Sequence, residues 1–444
     1  MPPPFDVLIV GAGAAGLAAA RDLSGGGRRV CVIEARHRIG GRVHTLHLPD
    51  LPLPVELGAE FIHGEAEASL SIVDAAALQV YELPDNHWWS RDGTWTMEDD
   101  FWEKIQRVRS RIRPSKRDRS FGDFLKSIKI DPHLRDLAWN FVEGYHAAHA
   151  DRISTQAMAT SDEEQEDPGG NKQFRIASGY DSLFEWLRSG LDPTRSSLLL
   201  GTTVTAVTWS RSGVSVTCRA GKLERTIRAR RALITIPIGV WKAPDGQEGG
   251  IRFDPPLTSK ERAIEKIEVG HVVKIAFHFR ERFWDERGFL EARVKNAKDR
   301  ERGTPLNFVH SHDRFMPTWW TMAPARAPLL IGWAGGHAAD ALLAERAAMI
   351  DRAIDAMSEA FGVRRKQIET LLVGTHSHDW QADPFSRGAY SYAGVGGKNA
   401  HDALAKPLNG GLFFAGEATT GEETGTVAGA ISTGRRAARE ILRA

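Results

Sequence analysis

Hydrophobic positions along this chain follow several rhythms. At the amino end an unbroken apolar run, VLIV at 7–10, stops at the glycine-rich turn 11–16 (GAGAAG); an alanine-rich stretch follows, and a second run, VCVI at 30–33, closes on Glu34. Short continuous runs bounded by turn residues read as strands buried on both faces. The unit is therefore strand, tight turn, helix, strand, acid. Residues 98–160 are charged but set Phe101, Ile105 and Val108 on one stripe, which predicts helix. Over 203–236 the period shortens. Val204, Val207 and Trp209, then Val214, Val216 and Cys218, then 232–236, predict short strands in a meander. Further helices are expected from about Ser259 to Ile267, over 346–361 and over 425–442, and a loop over the acidic stretch 161–170 (SDEEQEDPGG).

Each glycine of the first unit has a physical task. Gly11 makes the turn, Gly13 admits a pyrophosphate close to the backbone, and Gly16 lets the helix pack on the strand. Phosphates then sit at the positive end of a helix. Glu34, at the tip of the second strand, can accept hydrogen bonds from ribose hydroxyls and would repel a 2′-phosphate, which favours FAD or NAD over NADP. The last forty residues again read as strand, glycine turn and helix, with LFFA at 412–415 running into Gly416 and Glu417. The helix after Thr426 carries small residues that can approach a flat ligand, and its amino end offers positive potential to a developing anion. Two chain ends meeting at one ligand imply interleaved domains.

At 444 residues the chain is long enough for two or three domains. Net charge is +1, so neither nucleic acid nor an acidic membrane surface is indicated as a partner. No basic leader precedes the first apolar run, and no run is long enough to span a bilayer; the expectation is a cytoplasmic protein. Of the two cysteines, Cys31 falls inside the second strand as a small buried thiol. With Cys218 alone beside it a disulfide framework is excluded, and a reducing compartment fits.

After Glu34 come Ala35, Arg36, His37, Arg38, Ile39, Gly40, Gly41 and Arg42. This segment resembles the FAD-binding start of the flavin-dependent amine oxidases, the family of monoamine oxidases, polyamine oxidases and lysine-specific histone demethylases. The resemblance extends through ELGAEFIHG at 56–64, TIPIGV at 235–240, FDPPL at 253–257, Lys274 in GHVVKI, GAYSY at 388–392 and AGEAT at 415–419. It is nearest to the polyamine oxidases. It implies an α/β architecture: a Rossmann-like FAD-binding domain (1–80, 195–265 and 396–444) interleaved with an α+β substrate-binding domain (81–194 and 266–395), whose mixed sheet is flanked by helices.

The resemblance also implies roles. Gly11, Gly13, Ala15, Gly16, Glu34, Ala35, Arg36, Gly41, Arg42, Gly58, Ala59, Glu60, Val204, Trp380, Gly416, Glu417, Thr426 and Val427 would hold FAD. Lys274, His63 and Tyr390 would be catalytic: the lysine holds a water against flavin N5, the histidine lines the catalytic tunnel, and the tyrosine walls an aromatic cage. Substrate would meet His63, Glu60, Tyr390 and Thr426. Ala389 stands where monoamine oxidases carry the cysteine that bonds to flavin, so FAD is expected to be non-covalent. Thr426 replaces the second cage tyrosine and leaves the cage half open. Glu60 either anchors a cationic amine or braces its loop. The implied reaction moves a hydride from the amine α-carbon to flavin N5. The imine hydrolyses to an aldehyde, and O2 reoxidises flavin to give hydrogen peroxide. The substrate is a polyamine or another secondary amine, and the partners are that amine and O2, in a monomer or homodimer. A primary monoamine oxidase, an L-amino acid oxidase and a desaturase-type flavoprotein are the alternatives. An amino acid oxidase would need an arginine placed for a carboxylate, which the sequence does not locate.

Other residues leave choices open. Lys274 sits in a mostly apolar strand, buried with a polar partner or else on a sheet edge. Two HSHD segments, at 310–313 and 376–379, alternate histidines as a chelating face would, but no metal is expected and polar strand ends are preferred. The pairs Trp88-Trp89 and Trp319-Trp320 line a tunnel or fill a core. No GxSxG elbow supports serine hydrolysis.

Overall fold

The computed structural model describes residues 5–98, 100–113, 117–162, 172–286 and 288–444. Of the acidic stretch expected to be a loop, 163–170 lie outside the described residues.

The amino-terminal unit forms as its pattern dictates. The strands Phe5–Val10 and Val30–Ile33 pair in parallel around the helix Ala14–Gly25, and Ser196–Leu199 adds beside the second of them. All four residues of Val30–Ile33 are buried, as an unbroken apolar run requires. On the other side of Phe5–Val10 lies Leu223–Ile234, a strand with two functions. Its exposed first half closes an antiparallel meander with Thr203–Ser210 and Gly213–Ala220. Its buried end, Ala232 to Ile234, is parallel to both Phe5–Val10 and Leu412–Phe414. Residues 232–236 are thus the end of this long strand and the turn beyond it, not a separate strand. With Arg252–Asp254 at the margin, the sheet has eight strands among the described residues.

A second, seven-stranded mixed sheet has the order Leu372–Ser377, Val272–Phe279, Leu329–Gly335, Thr318–Thr321, Phe308–His310, His87–Arg91 and Thr94–Met97. Helices Phe101–Arg109 and Pro132–Tyr145 pack beside it through a cluster that holds Phe101, Ile105, Val108 and Trp89. The expected helix at 259–267 ends at Ile264, because Ile267–Val269 leaves to pair with Ser391–Ala393. The helix expected at 346–361 is Met349–Phe361, entered through a 3-10 turn at Arg346–Ala348. Both cysteines are buried thiols, and burial pushes that of Cys31 up to about 12. No helix among the described residues is long and apolar enough to cross a membrane.

The final helix, Val427–Arg443, crosses the helix Ala14–Gly25, so the two chain ends share one core. Leu17, Leu23, Ile431 and Ile441 are fully buried there, each such side chain contributing about 1.5–3 kcal/mol. The small residues of this helix do not all face a ligand, as the sequence suggested. A Cβ on Gly434 would run into the Ala15 carbonyl, so Gly434 serves helix-to-helix approach, while Thr426 and Val427 at the amino end line the cavity described below. We expect Gly434→Ala to lower stability by about 1–3 kcal/mol. Gly25→Ala, whose Cβ meets nothing within 4 Å, should be neutral or stabilising. Thermal melts of the two variants check this.

Candidate active site

A single continuous cavity of about 1150 Å³ runs from the glycine turn to the face of the seven-stranded sheet. At its nucleotide end Gly11 has φ +108°, and a Cβ there would sit 2.6 Å from Thr235 Oγ1. A Cβ on Gly16 would run into the Gly11 carbonyl, which explains the tight seat of the helix. Gly13 and Gly41 face each other, with a Cβ on Gly41 only 3.4 Å from the Gly13 Cα. Two residues without side chains leave a cradle with backbone walls, the form a pyrophosphate needs. Glu34 Oε2 accepts from the Ala12 amide at 2.8 Å and Oε1 from the Arg36 amide at 2.9 Å, which fixes the carboxylate beside the turn. The backbone at 201–204 closes this end, since Gly201 donates to Arg36 O and Thr202 to Glu34 O; Val204 follows as cavity wall. Ala15, Ala35, Gly58, Ala59, Trp380 and Gly416 line the same space. Backbone cradle, acid and depth together fit FAD.

Arg36 and Arg42, expected at the cofactor, each have partners within the protein. Arg36 donates to Asp383 Oδ2 at 2.7 Å and to Ser386 Oγ at 2.7 Å. Arg42 binds the Ala389 carbonyl and Glu417 Oε1, the latter at 2.9 Å. The other oxygen of Glu417 accepts from Ser391 Oγ (2.7 Å), Ser391 N (3.3 Å) and Gly425 N (3.2 Å). Burial opposes the charge of Glu417, but Arg42 and these hydrogen bonds hold its carboxyl below the usual range. Glu417 is thus a clasp between the amino-terminal glycine loop and the carboxy-terminal turn. Gly58 has a comparable function, because a Cβ there would run into the Arg42 carbonyl and press on Trp380, whose indole donates to Leu57 O at 3.0 Å.

Deeper in the cavity, Lys274 lies in the second strand of the seven, between two others and wholly buried, so the edge-strand alternative falls. Its Nζ is 2.6 Å from Glu60 Oε2 and 3.0 Å from Gly58 O. Glu60 Oε1 takes Arg175 Nε at 2.6 Å and Trp320 Nε1 at 3.1 Å. Arg175 also donates to Thr321 O and Ala323 O. Burial opposes the Glu60 charge, but Lys274 and Arg175 hold the carboxyl below its ordinary value. With both oxygens engaged, Glu60 braces its loop; the other expectation, an anchor for cationic amine, meets a carboxylate already shared by two cations.

His63 and Tyr390 come together around a residue the sequence did not single out. Tyr390 Oη donates to the backbone carbonyl of Tyr145 at 2.7 Å, and the Tyr145 ring stands edge-on to His63 at 5.2 Å. Burial lowers His63 to about 4, which leaves a neutral ring whose Nδ1 has no partner among the described residues. Thr426 lines the cavity as expected but is the N-cap of its helix. Its Oγ1 accepts from Gly429 N at 2.9 Å and donates to Glu423 O at 2.9 Å.

Strand alternation answers the tryptophan question. Trp88 and Trp319 fill the core behind the sheet, while Trp89 and Trp320 line the cavity. Register sets a row on the cavity face: Lys274 opposite Trp333, Trp333 opposite Thr318, Thr318 opposite His310, and His310 opposite Trp89. His310 is a strand end, as preferred, but one stacked inside the cavity. His312 accepts from the Trp89 indole, and His378 meets Asp383 at 2.9 Å. His149, His271 and Asp340 form another cluster, with the two carboxylate oxygens each facing a different imidazole.

A dinucleotide cradle that opens into an aromatic cavity with a buried lysine defines an FAD-dependent amine oxidoreductase. Residues 14–442 match the family of flavin containing amine oxidoreductases, and the chain belongs to it. It is 31% identical to polyamine oxidase 3 of Oryza sativa subsp. japonica, over 98% of this chain and 88% of that one. It is 26% identical to human lysine-specific histone demethylase 2, of which it spans 53%. Putrescine oxidase bound to putrescine has the same fold, with a TM-score of 0.79, 21% identity and 99% of each chain covered. So does cyclohexylamine oxidase of Brevibacterium oxydans, at 0.78 and 21%, over 100% of this chain and 99% of that one.

Two expected outcomes follow from the buried carboxylates. Glu60→Ala strands two buried cations and should cost about 3–5 kcal/mol in urea unfolding. Glu56, buried with Tyr180 N and Thr45 Oγ1 on its carboxyl, is raised by that burial to about 7. The folded state therefore binds this proton more tightly than the unfolded chain, and stability should fall as pH rises from about 4.5 to 7. Glu56→Gln should flatten that slope in unfolding curves taken across the window.

Proposed function

We propose that the protein oxidises a polyamine or another secondary amine with oxygen, and that the amine reacts uncharged. The observation that carries this reading is the Lys274–Glu60–Arg175 cluster. Lys274 and Glu60 face the cavity and Arg175 stands behind them, so the cluster offers an incoming ammonium no free carboxylate and favours the free base. The neutral nitrogen lone pair is what lets hydride leave the α-carbon. FAD, when bound, supplies the acceptor of that hydride at N5.

The protein positions and insulates. Tyr390, tied to Tyr145, gives a fixed aromatic wall, and neutral His63 offers Nδ1 to an N–H of the substrate. The amino end of Val427–Arg443, next to the cradle, supplies positive potential where negative charge develops. Ala389 offers no nucleophile, in keeping with a cofactor held without a covalent bond. The imine product takes up water and breaks to an aldehyde and an amine, while oxygen becomes hydrogen peroxide beside Lys274. The aromatic lining of the deep end of the cavity gives an extended amine apolar walls for its carbon chain. The division 1–80, 195–265 and 396–444 against 81–194 and 266–395 belongs to this reading and is supported by the two large sheets, whereas the three-stranded sheet pairs Ile62–His63 of the first unit with Gln173–Ile176 of the second. Helix Asp181–Ser189 departs from it, since Leu183, Phe184 and Leu187 pack into the core of the first unit. The partners are the amine and oxygen, with the protein a cytoplasmic monomer or homodimer.

An L-amino acid is the second reading, favoured by one observation. Arg109 lies in the cavity wall, 5.8 Å from the Phe141 ring, and brings a guanidinium to the cavity.

The test is an anaerobic titration of flavin absorbance with spermine, N-acetylated polyamines, monoamines and amino acids. Bleaching by polyamines is the expected result. Bleaching by amino acids alone would promote the second reading, and a flavin that no amine bleaches would overturn both. Lys274→Met should slow reoxidation by oxygen at least tenfold while substrate still bleaches the flavin, as stopped-flow mixing of the reduced protein with oxygen would show.

A further inference from the structure

A hydrogen-bonded line leads out of the cavity through residues that no step above uses. His310 Nδ1 meets Thr318 Oγ1 at 3.4 Å, and His310 Nε2 meets His87 Nδ1 at 2.9 Å. His87 Nε2 meets Asp85 Oδ1 at 3.0 Å. Thr318, His310 and His87 line the cavity, whereas the Asp85 side chain is 56% exposed. The inner end is thus in the cavity and the outer end in water. Phe101 and Phe308 stack on the two faces of the His87 ring at 4.3 and 4.8 Å and hold it in plane.

The chemistry of the outer end sets the protons along the line. A carboxylate only accepts, so His87 carries its proton on Nε2 and leaves Nδ1 as an acceptor. His310 then donates from Nε2, and its Nδ1 accepts from the Thr318 hydroxyl. The Thr318 oxygen keeps lone pairs for an N–H in the cavity. Every link points outward.

Resting on the oxidase reading, we propose that Thr318, His310, His87 and Asp85 form a proton line that carries the proton shed by the incoming ammonium from the cavity to solvent. The substrate N–H bond breaks and its proton enters at the Thr318 oxygen, whose own proton passes to His310 Nδ1. The Nε2 proton of His310 passes to His87 Nδ1, and that of His87 Nε2 leaves by Asp85 to water. Reduction of oxygen to hydrogen peroxide consumes one proton in the second half of the cycle. Drawn inward along the same line, it returns both rings to their starting tautomers. Burial, and then the neighbouring His87, keep His310 well below its ordinary pKa, so that it passes a proton without keeping it.

The other charged groups packed around the line are engaged. Glu98 pairs with Lys104 and His133, and His312 with Arg91 and Asp136. Arg109, on the neighbouring helix, lies against Phe141. Trp102 Nε1 donates to Asp85 Oδ1 at 3.0 Å and steadies the exit carboxylate, which that bond and His87 hold below the usual range against the opposing effect of burial.

The test mixes holoenzyme anaerobically with an amine that bleaches it, in weak buffer with a pH-indicator dye. In the wild type, proton release should keep pace with bleaching. Asp85→Asn and Thr318→Val should slow both at least fivefold at a pH well below the pKa of the amine, and should regain the wild-type rate where the amine arrives uncharged. A defect equal at every pH, or none at all, would overturn the line. Nitrogen-15 spectra of the histidines, taken without substrate, give a second reading. Nε2-protonated His87 and His310 are expected, and Nδ1-protonated rings would overturn the proposal. If no amine bleaches the wild type, the oxidase reading fails by itself, and the tautomers still decide the line.

Discussion

One buried carboxylate organises the centre of this molecule. Glu60 receives Lys274 from the seven-stranded sheet, Arg175 from a strand of the three-stranded sheet and the indole of Trp320. Three segments distant in sequence are thereby fixed to one pair of oxygens. Isolated in a dry interior, each of these charges would cost several kcal/mol; together they hold one another in place. The loop at 58–64 that carries Glu60 also carries Phe61 and His63, so the cluster sets the position of the cavity wall as well as its charge.

The remainder of the cavity is built by register. Neighbouring strands bring Lys274, Trp333, Thr318, His310 and Trp89 into one row across the sheet. Lys274, His310 and Trp89 stand out in their own segments, but nothing local sets them beside Trp333 and Thr318. The row exists because period-two alternation turns every second side chain the same way. One tryptophan of each pair consequently fills the core while its neighbour faces the substrate space.

That division explains what was legible in the sequence. Local signals carried the nucleotide unit, since the turn, the helix and Glu34 lie within thirty residues and each glycine answers a nearby steric demand. Glu417, Val427, Lys274, His63 and Tyr390 could be placed in one site through the family resemblance. The pairing of Lys274 with Glu60 could not, nor could the participation of Arg175, Tyr145, Trp333 and Thr318, because strand order and register are decided by contacts far apart in the chain. Thr426 shows a different difficulty. The resemblance makes it the replacement for a cage tyrosine, while a Thr at a helix start is also an N-cap signal. Small residues near Gly434 signal close approach without naming its object, which here is another helix.

The Glu417 clasp sets an order for the life of the chain. Arg42 finds its carboxylate 375 residues later, and Leu412–Phe414 completes the parallel part of the first sheet beside Leu223–Ile234. During synthesis the glycine turn and its helix emerge long before their closing strand, clasp and covering helix. An emerging chain therefore carries half a nucleotide site with an exposed helix face until Leu412–Phe414 and Val427–Arg443 follow. The nucleotide site is whole only once the helix Val427–Arg443 has been made, and a chain cut short before it would be left with an open apolar seam where that helix should cover Ala14–Gly25.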